Sequence, residues 1–185
     1  MTHCCLVRHG QTDWNLEGRY SGQSDVPLNQ SGRGQAQNLA IQLQDVHFSA
    51  IYSSDLNRAK ETAEIISATR QQPVILEPRF REINQGVWEG KHVDFIKAHF
   101  NDLWQKRKVD PADVRPPGGE TINELAKRVF GAMDSIALLY SDDSVLIVSH
   151  GLTLAVIICK VRGIPIQQVY NMIPENTEPV WVNWL

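Results

Sequence analysis

Short apolar runs alternate along this 185-residue chain with longer stretches in which apolar residues recur at helical spacing. The apolar runs are typical of buried strands, and they cover residues 5–7, 48–53, 74–76, 145–148 and 180–185. The last run alternates apolar and polar residues, whereas residues 145–148 are apolar throughout. The order strand, helix, strand, helix, strand predicts a layered α/β fold.

Amphipathic stretches between these strands predict four helices. Ser31 is the expected N-cap of the first. The third opens with a capping box, in which Thr121 is followed three residues later by Glu124. The four helices are expected at residues 32–43, 57–68, 122–139 and 153–163.

Two segments interrupt this regular alternation. Residues 10–30 are rich in Gly, Asn, Ser and Asp, which predicts a long loop or a short irregular helix, and loops of that length are usually functional. Within residues 80–120, Ile96, Phe100 and Leu103 have the spacing of one helical stripe. A Pro- and Gly-rich stretch then ends any helix. We therefore expect a single domain over residues 1–185, with a small helical cap insert at about 88–118.

Residues 6–10 and 147–151 share one pattern, because each is an apolar run that ends in His-Gly. In an open parallel sheet, ligands bind at the carboxyl ends of the strands, so His9 and His150 are expected to meet in one crevice. Arg8 precedes one histidine, and Arg58 follows the second predicted strand. Arginine holds phosphate well through its planar fork of donors. The pattern predicts an enzyme that moves a phosphoryl group on and off a histidine.

Composition narrows the function classes. A net charge of −3 gives no electrostatic reason to expect nucleic-acid binding. The chain contains no run of 18 apolar residues, so no transmembrane helix is predicted. The first predicted strand begins too near the N-terminus to leave room for a signal peptide. We therefore expect a cytoplasmic protein without membrane contact. Three cysteines without C-x-x-C spacing predict neither a disulfide nor a zinc site. The remaining histidines show no metal-ligand spacing; they are His3, His47, His92 and His99.

His9 is the better candidate nucleophile, because it lies between Arg8 and a glycine that lets the substrate approach the backbone. A neutral imidazole can attack phosphorus if its other nitrogen donates to a fixed acceptor, expected in the first loop or near Gly10. His150, charged or donating, would stabilise the phosphoryl oxygens. Asn15 and the amides of Gly151 and Leu152 are expected to complete the pocket.

The leaving group needs a proton donor, and two carboxyl groups qualify. Glu82 lies where the third strand gives way to the insert, and Trp88 and the cap would partly shield it. It would protonate the departing alkoxide and then deprotonate the attacking water. Glu89 is the rival acid on the same segment.

The chain resembles the histidine phosphatase superfamily, the phosphoglycerate-mutase-like proteins. The motifs that carry the resemblance are residues 6–15, 20–22, 25–28, 53–59, 81–83, 117–121 and 148–151. The resemblance implies a three-layer α/β/α fold with a mostly parallel sheet, no metal and no cofactor. It also implies that His9 is phosphorylated, that Arg8, Arg58 and His150 hold the phosphoryl group, and that Glu82 donates the proton. We expect Asn15, Ser21 and Gly22 to contact the substrate.

The superfamily contains both mutases and phosphatases. Typical mutases are longer, with a larger insert, and the segment after Glu82 resembles the phosphatase branch, in which short chains are often α-ribazole phosphatases. Hydrolysis is therefore the preferred prediction, with a cofactor-dependent phosphoglycerate mutase and a non-catalytic phospholigand-binding protein as alternatives. The expected partner is a small phosphate ester, and homodimerisation is left open. The insert is expected to line the outer pocket with His92, Lys97, His99 and Trp104.

Overall fold

A computed structural model describes residues 1–185 and contains one five-stranded sheet. The strands are β1 (Thr2–Arg8), β2 (Ala50–Ser53), β3 (Val74–Leu76), β4 (Ser144–Ser149) and β5 (Pro179–Trp184). Their order is β3-β2-β4-β1-β5, with β5 antiparallel to β1 and every other pair parallel. The prediction of a mostly parallel sheet is confirmed.

Seven helices surround the sheet. They are α1 (Asp13–Glu17), α2 (Gln30–Gln42), α3 (Asn57–Ala68), α4 (Val93–His99), α5 (Asn101–Val109), α6 (Ile122–Leu139) and α7 (Gly151–Arg162). Three short 3₁₀ segments add to them, at Pro78–Phe80, Gly86–Trp88 and Ile166–Met172. α4 and α5 form the predicted insert between β3 and α6.

Helices cover both faces of the sheet, which makes three layers. α6 and α7 pack on one face in a cluster of 25 buried residues that includes Cys4 and Leu6. α2 and α3 pack on the other face in a cluster of 12 that includes Cys5 and Val7. Alternate residues of β1 therefore enter opposite cores, as the period of a strand requires. Burial on both sides explains why residues 4–7 of β1 are all apolar.

Several predicted boundaries are confirmed and others are wrong. α3 and β3 have the predicted bounds, and the capping box of Thr121 and Glu124 opens α6. The N-cap of α2 is Asn29 and not Ser31, because the Asn29 side chain accepts the Gly32 amide at 2.8 Å. β1 starts three residues before the predicted strand, and β2 two residues after the start of its predicted strand.

Two further differences concern the elements next to the site. α7 begins at Gly151, two residues before the predicted start, so its first turn directly follows the strand-end histidine. The predicted stripe of the insert does not form one helix, because the backbone breaks at Phe100 between α4 and α5. Only Ile96 of that stripe is fully buried.

None of the helices is on its own long and apolar enough to cross a membrane; the bent pair of α7 and Ile166–Met172 meets that test by length and composition alone.

Candidate active site

The pairing of β1 with β4 brings the two strand-end histidines together. Arg8 is in register with Ser149, so His9 and His150 follow at the same edge of the sheet. The His9 amide donates to the Ser149 carbonyl at 2.9 Å, and the two imidazole centroids are 5.2 Å apart. The prediction that these two distant residues lie side by side is confirmed, although only His9 lines the cavity described below.

His9 is held as a neutral imidazole with one nitrogen free of hydrogen. Its Nδ1 lies 2.7 Å from the Gly10 carbonyl oxygen, an acceptor that requires the Nδ1–H tautomer. Its Nε2 accepts from Arg58 Nε at 3.3 Å. Burial lowers the pKa of His9 well below its usual value, and the charges of Arg58 and Arg8 lower it further. The lone pair on Nε2 is therefore present at neutral pH.

Arg58 is a buried cation beside this lone pair. Its side chain is 0% exposed, and its two terminal nitrogens donate to the carbonyls of Gly22 and Ser24, each at 2.7 Å. Burial lowers its pKa to about 10, so the guanidinium remains charged at neutral pH. Because carbonyl oxygens and not a carboxylate hold it, its positive charge stays available to an anion.

Arg8 supplies a second guanidinium at the same edge. Its Nη1 donates to the Pro174 carbonyl at 3.1 Å, whereas its Nε is buried without a hydrogen-bond partner. Burial lowers the pKa of Arg8, and the charges of Glu82 and Glu175 oppose that shift. A buried donor without an acceptor is costly, so this atom favours an anionic ligand.

His150 lies beside His9 but does not line the cavity. Its Nε2 is 2.8 Å from Ser54 Oγ, and its Nδ1 is buried without a partner. Burial lowers the pKa of His150 well below its usual value, and the positive charges of Arg58, Arg128 and Arg8 lower it further. The free protein therefore holds this imidazole neutral, which disfavours the charged form considered from sequence.

Glu82 lies at the amino end of α7, where backbone amides hold both of its carboxylate oxygens. Its Oε1 accepts from the amides of Ile83 and Thr153, at 3.0 and 3.1 Å. The Thr153 hydroxyl lies 3.1 Å from Oε1 and 3.0 Å from the Arg81 carbonyl, and its one O–H can donate to either. Its Oε2 accepts only the Leu152 amide, at 3.1 Å. A carboxylate is favoured at a helix amino terminus. The Leu152 amide was expected to bind the phosphate. Its N–H instead donates to Glu82 and is not free for a phosphate oxygen.

Glu89, the rival acid, does not line the cavity. Its carboxylate accepts from the amides of Gln23 and Gln85, at 2.8 and 3.1 Å, and from the Ser24 hydroxyl at 2.7 Å. These contacts connect the loop before α2 to the start of the insert. The geometry places only Glu82 of the two at the cavity wall.

These groups surround a cavity of about 270 Å³. All of the residues predicted for the site except His150 line it, namely Arg8, His9, Asn15, Ser21, Gly22, Arg58, Glu82, Gly151 and Leu152. Asn15 also closes a capping box with Thr12, which starts α1 inside the long loop. The Thr-x-x-Asn spacing is the sequence signal that marks the start of this short helix.

The insert lines the cavity through a residue that was not predicted. Arg107 of α5 reaches the wall together with Tyr20 and Tyr170. The expectation that His92, Lys97 and His99 line it is wrong, because these residues of α4 and its N-cap are exposed at the surface and none of them borders the cavity. Trp104 lines a neighbouring cavity of about 180 Å³ instead.

Arg128 of α6 is a second residue that sequence analysis missed. Its Nη1 donates to the carbonyls of Arg79 and Arg81, at 2.7 and 2.8 Å, and its Nη2 donates to the Glu82 carbonyl at 3.0 Å. Its Nε and Nη2 also donate to the two carboxylate oxygens of Glu120, at 2.8 and 2.9 Å. Arg128 thus holds the backbone that carries Glu82.

No group of three or more His, Cys, Asp or Glu side chains is placed to hold a metal ion. The positive charge around the cavity comes from guanidinium groups.

Comparison with known proteins agrees with this geometry. The sequence profile of the histidine phosphatase superfamily (branch 1) matches residues 4–184. The chain is 39% identical over 166 residues to the Escherichia coli K12 protein named "Probable phosphoglycerate mutase GpmB", which covers 89% of this chain and 77% of that protein.

Solved structures show the same fold. Bacillus stearothermophilus YhfR superimposes with a TM-score of 0.88 at 35% identity, covering 95% of this chain and 86% of its own. The α-ribazole phosphatase from Shigella flexneri superimposes with a TM-score of 0.84 at 32% identity, covering 94% and 86%. The chain therefore belongs to branch 1 of the histidine phosphatase superfamily and is a phosphatase of that superfamily.

Proposed function

We propose that this enzyme hydrolyses small phosphate monoesters without a metal ion, through a phosphohistidine formed on His9. The observation that carries the proposal is the state of the imidazole. Its Nδ1 is fixed by the Gly10 carbonyl, and its Nε2 lone pair points to the guanidinium of Arg58 at the wall of an anion-attracting cavity. A nucleophile and a charge that holds the phosphoryl group thus lie side by side.

In the first step, the phosphoryl group of the ester binds against Arg8 and Arg58. The Nε2 lone pair of His9 forms a bond to phosphorus, and the bond from phosphorus to the ester oxygen breaks. The positive charge that develops on the imidazole is stabilised through Nδ1–H and the Gly10 carbonyl. The guanidinium groups supply the charge stabilisation that a metal ion supplies in other phosphoryl-transfer enzymes.

Glu82 donates a proton to the departing alkoxide. Its Oε1 accepts two backbone amides, whereas Oε2 accepts one, so Oε2 is the oxygen with more room for the proton. In the second step, a water molecule gives a proton back to this oxygen while its own oxygen attacks phosphorus. The nitrogen–phosphorus bond breaks, inorganic phosphate leaves, and His9 returns to its starting tautomer.

A phosphoglycerate mutase is the second candidate, because the 39% identical relative carries that name. A mutase transfers the phosphoryl group from the histidine back to a substrate hydroxyl, whereas a phosphatase transfers it to water. The phosphatase among the similar structures favours water as the acceptor. The cavity volume of about 270 Å³ suits a small metabolite.

Two assays test this proposal. Purified protein is incubated with p-nitrophenyl phosphate with and without a chelator, and turnover that survives chelation is expected. Interconversion of 3- and 2-phosphoglycerate is then measured with 2,3-bisphosphoglycerate present. If interconversion is faster than phosphate release, the mutase is the main activity of the enzyme and the proposed hydrolysis is not.

The role of Glu82 predicts a dependence on the leaving group. Glu82→Gln keeps the size of the side chain but removes the transferable proton, so esters of alkyl alcohols should lose about 100-fold or more in kcat. Esters of p-nitrophenol should lose much less, because that leaving group departs without a proton. Glu89→Gln is the matched control and should show no such split. Equal losses for both esters in Glu82→Gln would assign the proton to another group.

A further inference from the structure

The peptide unit that joins His9 to Gly10 is held by side chains and not by the sheet. The His9 amide still donates to the Ser149 carbonyl, but the His9 carbonyl and the Gly10 amide have no backbone partner. The His9 carbonyl oxygen instead accepts from Asn176 Nδ2 at 2.6 Å, and the Gly10 N–H donates to Thr62 Oγ1 at 3.0 Å. Both residues of this peptide are buried, so these two contacts replace the hydrogen bonds that water would otherwise supply.

The two side chains come from different parts of the fold. Thr62 lies in α3, one turn after Arg58, and its hydroxyl donates to the Arg58 carbonyl at 2.7 Å, which leaves its oxygen to accept from the peptide amide. Asn176 lies just before β5, where the Thr177 amide donates to the Arg8 carbonyl at 2.9 Å. The peptide next to the nucleophile is thus joined to the backbone of both arginines at the cavity wall.

The direction of the Gly10 carbonyl depends on how this peptide is held. Glycine has no Cβ, so its own torsion angles restrain the following carbonyl less than those of other residues do. The Gly10 carbonyl oxygen lies 2.7 Å from His9 Nδ1, and this contact requires the Nδ1–H tautomer. If the His9–Gly10 peptide rotated, this carbonyl would turn away from the ring. The proton would then be free to occupy Nε2, the nitrogen that has to attack phosphorus.

We propose that Thr62 and Asn176 are positioning residues for the nucleophile, because together they hold the His9–Gly10 peptide and so keep the ring proton of His9 on Nδ1. Neither residue lines the cavity, so both act through the peptide and not on the substrate. The inference rests on the proposed function, since it concerns the nitrogen that forms the bond to phosphorus.

The first measurement is the rate at which the phosphohistidine forms. With enzyme in excess over p-nitrophenyl phosphate, the release of p-nitrophenolate reports attack by Nε2 and needs no proton from Glu82. Thr62→Val removes a hydroxyl at nearly constant volume, and Asn176→Leu removes the amide donor. Each should slow this step about tenfold or more. Thr62→Ser keeps the hydroxyl and should restore the rate to within about threefold of the wild type.

Binding should change much less than the rate. The guanidinium of Arg58 keeps its two carbonyl partners in both variants, so the inhibition constant of inorganic phosphate should stay within about threefold of the wild type. Because Thr62 and Asn176 act on one peptide, their losses in rate should not multiply in the double variant.

Two control variants remove similar groups away from the site. Thr69→Val removes a hydroxyl that donates to the Ile66 carbonyl at the end of α3, and Asn183→Leu removes an exposed amide of β5. Both should retain the wild-type rate. Thermal unfolding shows whether each variant is folded, and Asn176→Leu, which alters a half-buried side chain, carries the test alone if Thr62→Val does not fold.

The second measurement is the tautomer of His9, which a purely structural role of the two residues would not change. In protein labelled with ¹⁵N-histidine, the ring signals of His9 are assigned by their absence in His9→Gln. The Nδ1–H tautomer is expected in the wild type and in Thr62→Ser. A population of the Nε2–H tautomer should appear in Thr62→Val and in Asn176→Leu.

The outcomes distinguish this inference from the proposed function. Wild-type rates in Thr62→Val and Asn176→Leu, slow rates with an unchanged tautomer, or a Thr62→Ser protein as slow as Thr62→Val would overturn the positioning role and leave the phosphatase intact. Failure of the wild-type protein to hydrolyse p-nitrophenyl phosphate would overturn the proposed function itself, whereas the tautomer is measured without turnover.

Discussion

Replacement of Arg128 tests how the backbone that carries Glu82 is held. All five N–H groups of a guanidinium are potential donors, and in Arg128 they serve three backbone carbonyls and both oxygens of Glu120. The two side chains are 21% and 15% exposed, so the ion pair is largely removed from water. Few side chains in this protein make so many contacts.

The expected loss of stability follows from these contacts. Removal of one partner of a largely buried pair costs about 3–5 kcal/mol, because the other charge stays desolvated. Glu120 also accepts the Asn84 amide at 3.2 Å, so its carboxylate keeps one partner when Arg128 is removed. Arg128→Met should therefore lower the free energy of unfolding by about 3 kcal/mol, the lower end of that range. Arg128→Lys keeps the charge but not the fork, so about half of that loss is expected.

Urea unfolding followed by tryptophan fluorescence measures both values. Lys127→Met removes the same charge from the exposed neighbouring position of α6 and should change stability by no more than about 0.5 kcal/mol. In the folded Arg128→Lys protein, kcat for alkyl esters should fall more than kcat for p-nitrophenyl phosphate, because Glu82 is less firmly positioned. A loss below about 1 kcal/mol in Arg128→Met would refute this reasoning.

Two further predictions concern burial and close packing. Folding lowers the pKa of His9 and His150. As pH falls below about 6.5, the unfolded chain therefore takes up protons at these histidines that the folded chain does not. The free energy of unfolding should fall by up to about 1.4 kcal/mol per pH unit for each histidine. Urea titrations from pH 7 to pH 5 measure how the free energy of unfolding depends on pH. This dependence should be shallower in His150→Gln than in the wild type, and unchanged in His47→Gln, which alters an exposed side chain. A wild-type pH dependence in His150→Gln would contradict the prediction. Gly10→Ala should destabilise by about 2 kcal/mol or more in the same assay, because its Cβ would overlap a backbone carbonyl oxygen of α2, whereas Gly34→Ala meets no atom within 4 Å and should be neutral or stabilising. Equal effects of the two alanines would show that this close approach is not needed.

The part of the site that lies on the strands was predictable from sequence. An apolar run that ends in His-Gly occurs twice, and parallel strands deliver their ends to one edge of a sheet, so the meeting of His9 and His150 follows from local pattern and topology. The position of Arg58 was predictable for the same reason, because only three residues separate β2 from α3, which has the predicted bounds. The tautomer of His9 depends on a carbonyl one residue away, which is also local.

The rest of the site depends on contacts between distant segments. The hydrophobic pattern does not reveal that the carboxylate of Glu82 occupies the amino end of α7, 70 residues further along. Nor does it reveal the break at Phe100, because the apolar spacing continues through it. That break turns α5 so that Arg107, and not the side chains of α4, reaches the cavity. Packing of the insert against the body decides this, and periodicity within the insert does not.

The most direct test of the central claim is identification of the phosphorylated side chain. Enzyme is mixed with a ³²P-labelled phosphate ester, quenched in alkali to preserve phosphohistidine, digested and mapped by mass spectrometry. We predict an acid-labile phosphoryl group on the imidazole of His9 and no label in His9→Ala. Label on another residue, or acid-labile label that persists in His9→Ala, would contradict the account.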